Sequence, residues 1–306
     1  LVWRYLILWV GVAAASSAVL FIKLSKMPPI TLAWMRLIVA ALMLTPVLLF
    51  VLRRRRYRFT GADLWTALPG AVLLALHFVT WIVGVKMTTN ANATLIVNLS
   101  PVVMPFAMYF AERQRLLRGE VIGSALALAG TAVLILSNPA LWKPASTVTS
   151  TLPGDLMCAV SMLFVVGYMV IARLRGRGRN VFVYVVPLYW LATPIALLFG
   201  LQDLRHLPPI DGREATMILC LGLIPTVIGH SAFQYSMMHL RSQVVAISNL
   251  GQFIFAAIVA ALVLGEYPTW GYYPAALLIV IGAVVVVRSA PKPVERAMAE
   301  AQVESN

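Results

Sequence analysis

Apolar residues fill ten long blocks along the chain, broken by short polar or basic stretches. The blocks cover residues 3–25, 29–52, 62–85, 91–111, 119–137, 153–173, 180–200, 213–236, 242–264 and 269–288. A bilayer core of ~30 Å is crossed by about 20 helical residues, and most blocks approach that length. They are solid rather than alternating, which points to helices and away from the weak ~10-residue alternation of a β-barrel. With connections this short, successive helices should be antiparallel neighbours. The pattern therefore predicts an all-α integral membrane protein with ten transmembrane helices.

One hairpin-like stretch recurs. Residues 77–112 carry a histidine, a polar turn at 86–92, an Asn98-Leu99 pair and a closing Glu112. Residues 230–266 repeat the order with His230, a turn at 239–242, Asn249-Leu250 and Glu266. Other matches keep the same order at a nearly constant displacement: Thr45-Pro46 with Thr193-Pro194, Gly70 with Gly222, and the small residues around Gly130 with those around Gly282. The chain thus reads as two five-helix repeats, 1–140 and 153–290, joined by a linker at 141–152 and followed by a disordered cytoplasmic tail at 291–306. Five crossings is an odd number, so the second repeat should enter the membrane from the opposite side. Inverted repeats of this kind suit secondary transporters.

Composition agrees with the pattern. Hydrophobic residues make up 61% of the chain and charged residues 11%, against about half and a quarter in soluble domains. The net charge of +13 would suit nucleic acid, but its distribution does not. Seventeen of the 24 Lys and Arg residues fall on one side of the expected topology, six on the other, and Arg36 within a block. This is a positive-inside bias that puts both termini in the cytoplasm and makes the basic runs topology signals. No nucleic-acid partner is expected. Cys158 and Cys220 lie inside apolar blocks without metal-like spacing and read as small core residues.

A family resemblance rests on particular residues. Pro28-Pro29-Ile30-Thr31-Leu32-Ala33-Trp34-Met35-Arg36 leads into an Ala/Leu-rich helix. Ser100-Pro101 is followed eleven residues later by Glu112-Arg113. Gly265-Glu266 closes the ninth block. Over residues ~5–288 the chain resembles the drug/metabolite transporter superfamily, EamA type, with ten helices. Ala14-Ala15-Ser16 departs from the family's usual Trp-Gly-Ser, Gln252 stands where helix nine usually has proline, and Ala111 where glycine usually precedes the glutamate. The resemblance implies an exporter of small organic metabolites, amino-acid-like or drug-like, working by alternating access in a bacterial inner membrane. An intramembrane enzyme of lipid or peptide chemistry and a non-transporting scaffold are the rival readings.

Catalytic signatures are missing: there is no His-Glu-x-x-His or Walker sequence, and Gly229-His230-Ser231 lacks the second glycine of a nucleophile elbow. No metal or other cofactor is expected. Polar groups inside the membrane then carry the functional interest, because hydrocarbon makes them costly. His77 and His230 could bind solute or carry a proton, or could pack against helix carbonyls. Trp81, Phe233 and Gln234 follow them by three or four residues and share their helix faces. Asn98 and Asn249 could contact solute or tie helices together. Ser16, Ser17 and Tyr168 are further candidates. Arg36 and Glu266, both toward the outer end, could form a gate or a structural tie. Glu112 should pair with Arg113 and Arg115 at the inner surface. The Gly119, Gly123, Ala127 stripe and the Ala275, Gly282, Ala283 stripe let helices approach closely, within the chain or at a homodimer interface.

Overall fold

The computed structural model describes residues 2–88, 96, 97, 99–137, 152–259, 261, 262 and 270–290, and these are helical with short connections. Seven helical segments are long and apolar enough to cross a membrane: Val2–Ile22, Pro29–Arg55, Gly61–Gly84, Leu152–Gly176, Val181–Phe199, Gly212–His239 and Tyr272–Ser289. The expected tail at 291–306, Asn98, Glu266 and the linker up to residue 151 lie outside the described residues.

Three of the expected blocks depart from a regular α-helix. The first divides into α1 (Val2–Ser16) and α2 (Ala18–Leu24). There, Ser16 and Ser17 donate to the Ala13 and Ala14 carbonyls, each at 2.7 Å, and such back-bonding competes with the helix ladder. The eighth block runs as α9 (Gly212–Leu221), a π-helical stretch (Gly222–His230) and α10 (Ser231–His239). The ninth stops at Leu250-Gly251, between α11 (Ser242–Asn249) and α12 (Gln252–Val259). The other helices are α3 (Pro29–Arg55), α4 (Gly61–Met87), α5 (Ser100–Glu112), α6 (Arg118–Leu136), α7 (Leu152–Gly176), α8 (Val181–Phe199) and α13 (Tyr272–Ser289). Pro29 opens α3, where its missing N–H is harmless.

Contacts between the halves come in exchanged pairs. Helix α4 packs along α7, and α1 packs along the π-helical stretch and α10. Similarly, α4 meets α8 while α3 meets the π-helical stretch, and α5 meets α7 while α12 meets α1. Among the described residues three contacts join like block to like block: α3 with α8, α5 with the α11 segment of the ninth block, and α6 with α13. The last uses the small-residue stripes: a Cβ on Gly123 or Gly282 would run into the other glycine's carbonyl. The stripes are thus spent on packing the two halves together.

End contacts follow the same exchange. Thr88 donates to Asp155 at 2.5 Å, where α4 ends beside the start of α7. Arg4 reaches the His239 carbonyl at 3.5 Å, where α10 ends beside the start of α1. Asp63 at the start of α4 pairs with Arg179 at 2.7 Å. Its counterpart Glu214, at the start of α9, takes the Ser25 hydroxyl and, at 3.0 Å, the Lys26 N–H. One displacement along the chain carries Arg4 to Asp155, Asp63 to Glu214 and Thr88 to His239.

Candidate functional site

A cavity of about 350 Å³ lies where α1, α2, α3, α4, α5, α7, α10, α11, α12 and the π-helical stretch converge. Its wall includes Ser16, Arg36, His77, Phe78, Trp81, Ser100, His230, Phe233, Asn249, Gln252 and Phe253. It is mostly apolar, with a few convergent polar groups, as small-molecule sites are. A larger groove of about 640 Å³ lies between α5 and α6, but Phe106, Tyr109 and Phe110 on it are exposed and its lining is nearly all apolar. That is surface of the kind acyl chains cover, so we place the site in the smaller, polar cavity.

The two histidines are held differently. Nδ1 of His77 lies 3.0 Å from the Ser161 carbonyl. A carbonyl only accepts, so Nδ1 carries the proton, and the tautomer is set by this contact. Ser161 Oγ stands 2.8 Å from the same nitrogen and donates to the His77 carbonyl at 3.1 Å. His77 is thereby tied to α7 on both sides. Nδ1 of His230 is buried without a hydrogen-bond partner. The two rings lie 6.5 Å apart, and Phe78 meets His230 edge-on at 5.0 Å.

Arg36 stands beside them, 2% exposed. The origin of its position can be traced through the π-helical stretch. Pro225 has no N–H to give the Leu221 carbonyl four residues back. The Thr226 hydroxyl fills that role at 2.9 Å, which turns its lone pair toward Arg36 Nε, also at 2.9 Å. Tyr189 holds the same turn by donating to the Thr226 carbonyl at 3.1 Å. The Arg36 guanidinium lies over the Phe78 ring, 4.2 Å from its centroid. Its Nη2 is buried with no partner, and among the described residues no carboxylate pairs with it. Burying an uncompensated cation costs several kcal/mol. A desolvated cation–π contact returns about 2 kcal/mol, and one hydrogen bond from a charged group about 1.5–3 kcal/mol. The two contacts offset much of the burial but leave the charge unneutralised.

Of the residues expected from sequence, the structure brings His77, Trp81, His230, Phe233 and Asn249 to the cavity wall. Asn249 accepts from the Gln252 amide across the α11–α12 break. Ser17 is buried and bonded to α1, and its neighbour Ser16 faces the cavity instead. Tyr168 and Gln234 are wholly buried side by side behind the wall. Gln234 is one residue past Phe233, about 100° further round α10 and turned toward α7. Sequence reasoning did not select Ser100 or Gln252. A polar residue within or bordering an apolar block was the available signal for both.

Glu112 does not pair with Arg113 and Arg115 as expected. It accepts from Arg173 Nε at 3.0 Å, and Arg173 also reaches the Met237 and Leu240 carbonyls at 3.3 and 2.5 Å. Arg113 lies over the Tyr109 ring instead, 5.3 Å from its centroid. Nearby, Arg241 pairs with the wholly buried Glu120. Gln243 donates to the Pro101 carbonyl at 3.1 Å and to Ser124 at 2.7 Å. These contacts tie α5, α6, α7, α10 and α11 together at the arginine-rich end of the molecule.

A multi-pass helical membrane protein with a polar cavity at the junction of two similar halves has the build of a secondary transporter. The chain belongs to the EamA-like transporter family, whose model matches residues 2–136 and again 152–288. This is a branch of the drug/metabolite transporter superfamily. A solved crystal structure shares the fold with a TM-score of 0.75 at 21% identity, over 94% of this chain and 97% of that one. No curated protein matches the chain.

Proposed function

We propose that the protein is a secondary transporter that exports small organic metabolites by alternating access. The observation that carries this reading is the cavity at the junction of the two halves, with a polar lock closing the arginine-rich end. In this reading the chain crosses a bacterial inner membrane ten times, with both termini in the cytoplasm and the second five-helix half inverted. The paired contacts between the halves support a two-fold relation, and an odd number of crossings per half makes that relation an inversion. Exchanging the conformations of two such halves would open one site to the other side. The arginine-rich end is then the cytoplasmic end, and the lock around Arg173 and Arg241 closes the cytoplasmic exit.

Two measurements test it. Reporter fusions within 53–58 and near Lys143 should signal from opposite sides of the membrane, and same-side signals would overturn the topology. Proteoliposomes should accumulate or release at least one member of a panel of amino-acid-like, nucleoside-like and drug-like solutes. Absence of flux across that panel, together with hydrolysis of a lipid or peptide, would replace the transporter with an enzyme.

A further inference from the structure

We infer that the solute bound in this cavity is an organic anion: a carboxylate received by Arg36, on an apolar or aromatic body. The inference rests on reading the cavity as the site of the transported solute.

Arg36 is built into the wall rather than snorkelling to an end of its helix. It begins the third turn of α3, is 2% exposed, and is fixed by Thr226 on one side and the Phe78 face on the other. The orientation of Thr226 is itself set by the Leu221 carbonyl that Pro225 leaves without its helical donor. This geometry uses Nε and the guanidinium face but leaves the buried Nη2 without a partner. A guanidinium presents a planar fork that matches the two oxygens of a carboxylate. His230, edge-on with the same Phe78 ring, keeps a buried Nδ1 without a partner. The tautomer with a proton on Nδ1 can donate it directly to a carboxylate. A cationic solute would meet an unneutralised Arg36, and among the described residues the cavity wall holds no Asp or Glu to receive it. Trp81, Phe233 and Phe253 provide a face for the rest of the molecule.

Three nearly isosteric probes separate the headgroups: indole-3-acetate, indole-3-acetamide and tryptamine. With the purified full chain in detergent, indole-3-acetate should raise the melting temperature in a concentration-dependent way. It should bind roughly tenfold or more tightly than the amide, the ratio expected for a charge-assisted contact. Tryptamine should bind less well than either. Arg36→Met should abolish the acetate shift without lowering the melting temperature of the unliganded protein, and Arg36→Lys should keep a weakened shift. Equal stabilisation by the amide or the amine, or by none of the three, overturns the anion site in the unmodified protein, whatever the variants do. So does an acetate shift that survives Arg36→Met. Flux in proteoliposomes separates this inference from the transport reading. Transport of the amide as fast as the acetate keeps the transporter and removes the anion site. Arg36-dependent binding of the acetate without flux of any probe keeps the site and removes the transporter.

Discussion

His77 and His230 reach the cavity from different halves, yet the ring of one is tied and the Nδ1 of the other has no partner. His77 sits on α4, a continuous helix of 27 residues, with its ring held by both the carbonyl and the hydroxyl of Ser161. His230 closes a π-helical stretch, and its Nδ1 has no partner. Each half brings one histidine to the cavity, and the local backbone decides its use. The regular helix makes a strut of one histidine, and the widened turn presents the other to the cavity together with the Arg36–Thr226 pair. A two-fold scaffold can therefore hold a one-sided binding site.

Four variants test that contrast, in order of expected effect. Deleting Val227 should let the 222–230 stretch return to α-helical spacing, swing His230 off the wall and part Thr226 from Arg36. Solute flux in proteoliposomes should fall to background, and a deletant that transports normally would make the widened turn incidental. His77→Ala should come next, lowering stability by about 2–3 kcal/mol through the lost hydrogen bond and the void left in the core. That loss should appear in thermal or denaturant unfolding in detergent. Ser161→Ala removes only the hydroxyl half of the anchor and should cost about 1 kcal/mol by the same measurement. His230→Phe should be the gentlest, within ~0.5 kcal/mol of the parent protein, because it leaves no partner unsatisfied. It should still weaken solute binding. Equal destabilisation by His77→Ala and His230→Phe would erase the distinction between strut and ligand.

Much of the fold was legible because membrane helices announce themselves by length and apolarity, and because the repeat preserved order and spacing. The cavity was half legible for a similar reason: His77, Trp81, His230 and Phe233 are conspicuous against the apolar sequence around them. What the sequence hid was rotation and register. Ser16 and Ser17 differ by one residue, yet one faces the cavity and the other packs inward, since each step turns a helix by about 100°. Arg36 was placed by its distance from the helix end, which suggested a tie to Glu266. Glu266 lies outside the described residues, and among these the contacts of Arg36 are Thr226 and Phe78, from two other elements, and depend on a π-helical turn that no periodicity rule reveals. Pro225 followed by Thr226 was the local clue, because a proline frees a carbonyl and a threonine hydroxyl can answer it. Glu112 was misread because the nearest arginines in sequence are not the nearest in space.

The backbone-on-backbone contact of Gly123 with Gly282 has a mechanical consequence. Each glycine's carbonyl there lies against the bare Cα of the other, and none of the residues of α6 or α13 lines the cavity. Side chains can change rotamer to let helices slide, but bare main chain on main chain has no such give. If the two halves tilt against each other, this line acts as the axle. Displacement then grows with distance from it and is greatest at α1 and α7 across the cavity. Widening that line with Gly123→Ala should loosen the axle and lower flux, whereas a crosslink from α1 to α10 should stop the machine.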